Sequence, residues 1–235
     1  MKVHILGISG SPRQGATQYC VRAALATAGE VAEVSTEFID LRGAQIHYCI
    51  HCNRCIRERT DFCPAFSDDM TGLYARVLAA DGLILGSPVY HMNTSSLMQL
   101  FLNRLRPLGR YITKGHWGTK VGGGIAVGGM RNGGQETTLA ALNNFLFANG
   151  MVVVSGGIFA YNGGAVWSND RMEEGARDDD TGMATVRVIG RRVAVTAKII
   201  KTGLANMGTG IEPALIAGLS SQAELEERVA RFRHR

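Results

Sequence analysis

The chain has 235 residues, of which 25 are Lys or Arg and 20 are Asp or Glu, and 46% of its residues are hydrophobic. This balance excludes a disordered chain, and no uninterrupted apolar run reaches the roughly 18 residues that span a bilayer. The N-terminal apolar run has no signal-peptide cleavage site, and the net charge of +5 is spread along the chain. We therefore expect a soluble cytoplasmic protein that binds neither membranes nor nucleic acids.

Apolar runs and helical patterns alternate along the chain. In order, the sequence predicts a strand over 2–9, a helix over 16–29, a strand over 33–41, a helix over 67–80, a strand over 82–87, a helix over 94–108, a strand over 124–128, a helix over 135–149, a strand over 151–155 and a helix over 184–204. Continuous apolar runs are typical of strands buried on both faces of a parallel sheet, whereas the alternation in 33–41 indicates an edge strand. The order predicts a doubly wound α/β fold, with 156–183 as a long excursion and 220–235 as a charged terminal helix.

The loop between the first strand and the first helix has the composition of an anion site. Its glycines allow tight turns, and its hydroxyls, the free amides of the helix start and Arg13 can all donate to phosphate oxygens. From Gly10 the spacing G-x-x-x-x-G-x-T is that of a nucleoside triphosphate loop, but Ala16 occupies the position of the required lysine. The loop therefore indicates a monophosphate instead of a triphosphate with magnesium.

Two further loops follow the third and fourth strands, at 86–93 and 128–136. Ligands of open α/β sheets bind outside the carboxyl ends of the strands, where all three loops lie. The segment Pro88-Val-Tyr90 offers a stiff, flat wall, and the glycines of the other loop let backbone amides approach a planar ring. The residues alone thus predict a monophosphate beside a flat ring.

Three motifs carry a resemblance to a known family: Ser9-Gly-Ser-Pro-Arg13, Asp81-Gly-x4-Ser87-Pro-Val-Tyr90 and Gly128-Gly-x3-Gly-Gly-Gln-Glu136. Over residues 1–206 the chain resembles the flavodoxin-like NAD(P)H-dependent FMN reductases. The resemblance implies a five-stranded parallel sheet in the order 2-1-3-4-5 that binds FMN. The residues implied to hold the FMN phosphate are Ser9, Ser11, Arg13, Gly15, Ala16 and Thr17. Those implied at the isoalloxazine end of the cofactor are Ser87, Pro88, Val89, Tyr90, His91, Asn93, Gly129, Arg131 and Gly133.

Four of the five cysteines form the compact motif C-x2-C-x2-C-x7-C, at Cys49, Cys52, Cys55 and Cys63. Two-residue gaps of this kind are typical of cubane iron-sulfur clusters. Zinc is an alternative, since His47 and His51 are available as substitute ligands, and thiols without any metal are another. Zinc sites usually separate two cysteine pairs by about a dozen residues or more, so the compact spacing favours the cluster. Cys20 is predicted to be a buried core residue.

An insertion with this motif after the second strand of an FMN-binding chain resembles the iron-sulfur flavoproteins. The resemblance implies one [4Fe-4S] cluster on the four cysteines, in an insertion over 47–66 of a domain over 1–206, which an extension over 207–235 follows. It implies an enzyme without a catalytic acid or base, in which FMN takes hydride from NADH or NADPH and the cluster passes electrons to a small-molecule or protein acceptor. It also implies a homodimer or homotetramer. A cluster-free NAD(P)H:FMN or quinone reductase, a non-catalytic FMN-binding electron carrier and a zinc-stabilised binding protein stay open as alternatives.

Overall fold

Parallel strands form the central sheet of the computed structural model, which describes residues 1–112, 114–207, 227, 230 and 231. The strands are β1 (Val3–Ser9), β2 (Val34–Asp40), β3 (Gly82–Pro88), β4 (Val121–Gly128), β5 (Val152–Val153) and β6 (Gly164–Trp167). The order β2-β1-β3-β4-β5 is the predicted one, and each pair of neighbouring strands is parallel. The predicted doubly wound arrangement is therefore confirmed.

The edge of the sheet beside β4 contains one strand more than predicted. β5 has only two residues and pairs with the start of β4, at Val121 and Gly122. The chain then leaves the sheet and returns as β6, which pairs with the end of β4 from Ile125 to Gly128. The stretch 156–183, predicted as an excursion, thus contributes a sixth strand and brings one more loop to the carboxyl edge of the sheet.

Helices cover both faces of the sheet, namely α1 (Ala16–Gly29), α2 (Arg54–Arg57), α3 (Tyr74–Ala79), α4 (Ser96–Arg104), α5 (Gln135–Ala148), α6 (Met172–Asp178) and α7 (Asp180–Met207). Two of the predicted helices are shorter than expected. The pattern over 67–80 forms a 3₁₀ turn, Asp69–Gly72, and then α3; the Asp68 side chain caps this turn by accepting a hydrogen bond from the Met70 amide (3.2 Å). The pattern over 94–108 ends as an α-helix before Pro107, which lacks an amide and disfavours helical backbone at the preceding residue.

Two hydrophobic clusters pack against the two faces of the sheet. On one face α1 and α7 cover Val3 and Ile5 of β1, and on the other face α3, α4 and α5 cover Leu6 and Ile8. Successive side chains of a strand point to opposite faces, and burial of each one stabilises the fold by about 1.5–3 kcal/mol. Cys20 lies fully buried in the first cluster, and burial raises the pKa of its thiol. It is the core residue that the sequence predicted.

Glycines of β4 allow the helices to pack closely on the sheet. A Cβ at Gly122 would lie 2.6 Å from Leu146 of α5, and one at Gly123 would lie 2.8 Å from Ile189 of α7. Carbon atoms do not approach so closely, so a larger residue at either position would displace a helix. The glycine-rich strand therefore fixes the distance of α5 and α7 from the sheet.

The described residues bear on two further predictions. No helix within them combines the length and the apolar character that crossing a bilayer requires. The extension over 207–235 and its charged helix over 220–235 fall outside them, except for Met207 and residues 227, 230 and 231. The domain boundary at 206 therefore stays a prediction.

Candidate functional site

The loop after β1 leaves a buried hydroxyl and a helix start free for a ligand. Ser9 is fully buried at the end of β1, and within the described residues its Oγ has no hydrogen-bond partner. α1 begins at Ala16 with neither a side-chain cap nor an acidic residue in its first turn. Its first backbone amides therefore lack a side-chain acceptor, and the helix dipole adds partial positive charge there. These groups can hold an anion such as a phosphate.

Hydrogen bonds within the same loop set its shape. Ser11 Oγ accepts a hydrogen bond from the Arg13 amide (3.1 Å) and donates one to the Arg13 carbonyl (2.7 Å). Gly15 has a φ of +149°, a conformation that glycine adopts without strain. The Arg13 side chain is exposed, whereas Thr17 is buried. The predicted residues from Ser9 to Thr17 thus form one turn around the start of α1.

The loop after β3 makes a tight turn at residues 90–93. The backbones of Tyr90 and Asn93 exchange two hydrogen bonds (2.9 and 3.0 Å), and between them His91 and Met92 have positive φ angles of 49° and 60°. This is the geometry of a two-residue hairpin turn with both central residues left-handed. The turn exposes His91 and Asn93 at the carboxyl edge of the sheet, while Pro88 before it is buried.

Two serines fasten this loop to the first one. Ser87 Oγ accepts a hydrogen bond from the Ser95 amide (2.9 Å) and donates one to the Pro88 carbonyl (2.8 Å). Ser95 Oγ donates to the Gly10 carbonyl (2.5 Å) and caps α4 by accepting from the Met98 amide (3.0 Å). The hydroxyl of Ser87, a predicted cofactor contact, is therefore already engaged in shaping the loop.

The loop after β4 is organised by Gln135, which was not among the predicted site residues. Its Oε1 accepts a hydrogen bond from the Gly133 amide (3.0 Å), and its Nε2 donates to the Met130 carbonyl (2.7 Å). Gln135 is buried, so these bonds are shielded from water. The Gly-Gly-Gln sequence carried a signal for this role, since a buried amide side chain needs several backbone partners.

The second and third loops are in contact with each other. Thr137 Oγ1 donates a hydrogen bond to the Met92 carbonyl (2.6 Å). Gly134 has a φ of +104°, and a Cβ at this position would lie 2.7 Å from Met92 Cα. All three predicted loops therefore meet at one edge of the sheet.

A fourth loop, over 168–171, follows β6 at the same edge and was not predicted. Trp167 Nε1 donates a hydrogen bond to the Gly129 carbonyl (2.8 Å), and the Arg131 guanidinium lies 4.3 Å from the centre of the Trp167 ring. Met172, which begins α6 directly after this loop, contacts the first loop. A Cβ added at Gly15 would lie 2.9 Å from Met172 Cε. The fourth loop thus connects the first loop with the third.

The four predicted cysteines line one cavity that opens to solvent. Cys55 on α2 is buried and the other three are partly buried, and all of them are free thiols. Burial raises the pKa of the Cys55 thiol, an effect that the nearby Arg106 guanidinium opposes. Within the described residues, no three His, Cys, Asp or Glu side chains converge as the ligands of a single metal ion do. The motif gathers its sulfurs around a shared recess.

Left-handed residues between the cysteines turn the chain toward this cavity. His51 and Asn53 have φ angles of 53° and 56°, on either side of Cys52. The side chains that line the cavity include neither His51 nor His47, which had been considered as substitute metal ligands. His47 instead stacks on Phe66, with the ring centres 4.8 Å apart.

A buried ion pair closes the segment that contains the cysteines. Arg104 at the end of α4 donates hydrogen bonds to both carboxylate oxygens of Asp68 (2.6 and 3.2 Å) and to the His47 carbonyl (2.5 Å). The two charged side chains are 1% and 2% exposed. Burial alone would raise the pKa of Asp68, but hydrogen bonds from Arg104 and from the His47 amide hold it below its usual value. Arg104 thus joins both ends of the segment from 47 to 68.

The strand order and the helices on both faces of the sheet define a flavodoxin-like α/β protein. Residues 3–165 match the NADPH-dependent FMN reductase family. The chain is 39% identical over 202 residues to an iron-sulfur flavoprotein of Methanocaldococcus jannaschii, which covers 84% of this chain and 98% of that relative. It is 38% identical over 191 residues to an iron-sulfur flavoprotein of Archaeoglobus fulgidus, covering 81% and 95%. A solved WrbA-like flavodoxin from Agrobacterium tumefaciens shares the fold, with a TM-score of 0.55 at 21% identity over 85% of this chain and 99% of that one.

The chain therefore belongs to the NADPH-dependent FMN reductase family, within its iron-sulfur flavoprotein group. Its class is that of an NAD(P)H-dependent flavin oxidoreductase. The predicted family and enzyme class are confirmed.

Proposed function

We propose that this oxidoreductase binds FMN at the carboxyl edge of its sheet, holds a [4Fe-4S] cluster on its cysteine motif, and passes electrons from NADH or NADPH to a small-molecule or protein acceptor. The observation that carries the proposal is the single cavity lined by Cys49, Cys52, Cys55 and Cys63. That cavity lies at one end of α4, and the loops proposed for FMN lie at the other. The two sites therefore share one helix.

The first loop fits the phosphate of FMN because it offers donors without acceptors. A buried hydroxyl without a partner, such as that of Ser9, costs roughly 1–3 kcal/mol, and a phosphate or ribityl oxygen would offset this cost. The amides at the start of α1 and the charge of Arg13 add attraction for an anion. The remaining proposed phosphate contacts are Ser11, Gly15, Ala16 and Thr17.

The second and third loops fit the flat ring. Tyr90 and the tight turn that follows it give one wall, and the backbone at Gly129 and Gly133 gives the other. Arg131, stacked on Trp167, is held beside this space. The further proposed ring contacts are Ser87, Pro88, Val89, His91 and Asn93.

Bound FMN supplies hydride acceptance and single-electron donation, so the chain needs no acid or base of its own. The side chains of the loops bind the phosphate, orient the ring and keep it at a fixed place relative to the cysteines. A cysteine-ligated cluster supplies one-electron transfer. The protein is proposed to act in the cytoplasm, because closely spaced cysteines stay available as cluster ligands where disulfides do not form.

The cofactor content of two cysteine variants tests this proposal. We expect anaerobically purified wild-type protein to contain FMN, sulfide and roughly four irons per chain, and NADH or NADPH to bleach its flavin absorbance. Cys55→Ala should lose the iron and keep the FMN. Cys20→Ala is the matched control, because Cys20 lies in the core away from the cavity, and this variant should keep both.

Each alternative function gives a different result in the same experiment. Wild-type protein with FMN but without iron would be a cluster-free reductase that acts on FMN or a quinone. Bound flavin that neither NADH nor NADPH bleaches would indicate an electron carrier. A colourless preparation that contains zinc would indicate a zinc-stabilised binding protein.

We also propose that the chain forms a homodimer or homotetramer. Ile158, Phe159 and Tyr161 expose 71%, 79% and 71% of their surfaces, close together in sequence. Grouped exposed apolar side chains are typical of interaction surfaces. Sedimentation equilibrium should give a mass of two or four chains for the wild type and a smaller mass for Phe159→Ser. A monomeric wild type would contradict this assembly.

A further inference from the structure

Arg106 is a cation on the wall of the cysteine cavity, and its charge has no carboxylate partner in the described part of the chain. Its Nη2 donates a hydrogen bond to Asn53 Oδ1 (2.6 Å), which is a neutral acceptor. Its Nε is buried and has no hydrogen-bond partner among the same residues. A guanidinium in such surroundings is costly unless negative charge compensates it. The cavity therefore combines four sulfurs with an unbalanced positive charge.

The other arginine on the cavity wall differs in this respect. The charge of Arg104 is neutralised by Asp68, at 2.6 Å, and that pair is almost fully buried. At the exposed rim, Arg54 pairs with Glu58 at 2.8 Å. Of the two arginines that line the cavity, Arg106 is thus the one whose charge no carboxylate balances within the described residues.

The contact of Arg106 also reaches the cysteine motif itself. Asn53 lies between Cys52 and Cys55 and begins α2 in a left-handed conformation, with a φ of 56°. The hydrogen bond from Arg106 holds the Asn53 side chain in place. The guanidinium is therefore fixed relative to the cysteine motif, and its buried Nε–H has no acceptor among the described residues.

We infer that Arg106 is the charge partner of the group held by the four cysteines and that it raises the reduction potential of that group. The inference rests on the proposed [4Fe-4S] cluster. Each electron that a cysteine-ligated cluster accepts adds one negative charge, and a cation in a wall of low dielectric constant stabilises this reduced form. Arg106 is thus a positioning residue that acts through charge, and it touches no substrate.

The experiment compares cluster reduction potentials in three variants of the holoprotein. Arg106→Gln removes the charge and keeps an amide near Asn53, whereas Arg106→Lys keeps the charge and loses the planar fork. Arg191→Gln is the control, because Arg191 is exposed and pairs with Glu30 on another part of the surface. Anaerobic potentiometric titration, followed by the electron paramagnetic resonance signal of the reduced cluster, gives each midpoint. Iron and FMN content are measured on the same samples.

We expect a more negative midpoint for Arg106→Gln, a midpoint nearer the wild-type value for Arg106→Lys, and no change for Arg191→Gln. Loss of iron from Arg106→Gln alone would also support the inference, since the charge would then be needed to retain the group. Equal midpoints for Arg106→Gln and wild type would overturn it, as would equal shifts or equal iron loss in the glutamine and lysine variants. Wild-type protein without iron would overturn the proposed function itself, so the two failures are distinguishable.

Discussion

Ser95 and Arg104 lie at opposite ends of α4, and each fastens the helix to a different site. Ser95 Oγ donates to the Gly10 carbonyl of the first loop (2.5 Å), and Arg104 donates to Asp68 beside the cysteine segment (2.6 Å). The nine residues of α4 rise by about 13 Å along its axis. One rigid element therefore sets the separation between the loops proposed for FMN and the cysteine cavity.

The unpaired hydroxyl of Ser9 predicts a selective effect on FMN binding. Ser9→Ala removes no hydrogen bond within the described residues, so the fold should stay stable. The lost donor to a phosphate should cost about 1.5–3 kcal/mol, or roughly 10- to 150-fold in Kd. Fluorescence titration of FMN into deflavinated protein measures this change. Ser35→Ala is the control, since Ser35 lies on the edge strand β2 and its Oγ donates a hydrogen bond to the Val3 carbonyl of β1 (3.1 Å). Equal affinities for wild type and Ser9→Ala would contradict the phosphate site.

The contact between the second and third loops predicts a cost for a methyl group at Gly134. This glycine has a φ of +104°, and an added Cβ would lie 2.7 Å from Met92 Cα. Gly134→Ala should destabilise the protein by about 1–3 kcal/mol in urea unfolding. Gly72→Ala is the matched control, because nothing lies within 4 Å of its added Cβ. Unchanged stability of Gly134→Ala would show that the loops do not pack as described.

The buried pair of Asp68 and Arg104 predicts a loss of stability in acid. The pKa of Asp68 lies below its usual value of 3.8, so its contribution is complete above that value and is lost as the pH falls through the lower folded-state pKa. Asp68→Asn should cost about 3–5 kcal/mol at neutral pH, because it leaves Arg104 buried without a counter-charge. In urea unfolding experiments from about pH 7 to about pH 2, the difference in unfolding free energy between wild type and Asp68→Asn should narrow as the pH falls.

A surface pair provides the comparison for this prediction. Glu58 forms an exposed pair with Arg54, and such pairs contribute about 0–1 kcal/mol. Glu58→Gln should therefore change the unfolding free energy little at any pH. A gap between wild type and Asp68→Asn that stays constant in acid would refute the assigned role of the Asp68 carboxylate.

Lys120 predicts that stability also rises with pH in a second, alkaline window. Its ammonium is buried and donates hydrogen bonds to the carbonyls of Leu78 (2.7 Å) and Ala80, and burial lowers its pKa from 10.5 to about 8. Between these two values the unfolded chain binds more protons than the folded one, so stability rises with pH in that window. Relative to Lys120→Met, wild type should gain up to about 1.4 kcal/mol per pH unit. Urea unfolding at several pH values across this window measures the difference in unfolding free energy between wild type and Lys120→Met. A difference that does not change with pH would contradict the lowered pKa of Lys120.

Local signals in the sequence were sufficient for the alternation of strands and helices and for the three loops at the carboxyl edge, because buried strands and glycine turns leave such signals. The strand order was implied by the family resemblance. β6 escaped prediction because its four residues, Gly164–Trp167, are too few for a clear alternation and lie in a stretch rich in glycine. Only its parallel pairing with β4 defines it as a strand. The loop after it could therefore not be placed beside Gly129.

The roles of the two cavity arginines were also beyond prediction. Arg104 contacts His47 and Asp68, which lie 57 and 36 residues away in sequence, and Arg106 contacts Asn53, 53 residues away. Contacts over such separations depend on how α4 docks against the cysteine segment, and one sequence carries no local pattern for this. The cysteine spacing, by contrast, is a local pattern, and the four cysteines that it groups line one cavity.

β5 and β6 both pair with β4, one with its start and the other with its end, and this arrangement determines where the chain can tolerate insertions and deletions. β4 pairs with the two short strands at separate points, so the chain between them, over 154–163, leaves the sheet after β5 and rejoins it at β6. Residues added or removed in this side branch would be absorbed before the chain re-enters the sheet at Gly164. Changes in this stretch can therefore give the outer surface a new epitope or a new binding partner, while the strand register at the carboxyl edge of the sheet is kept.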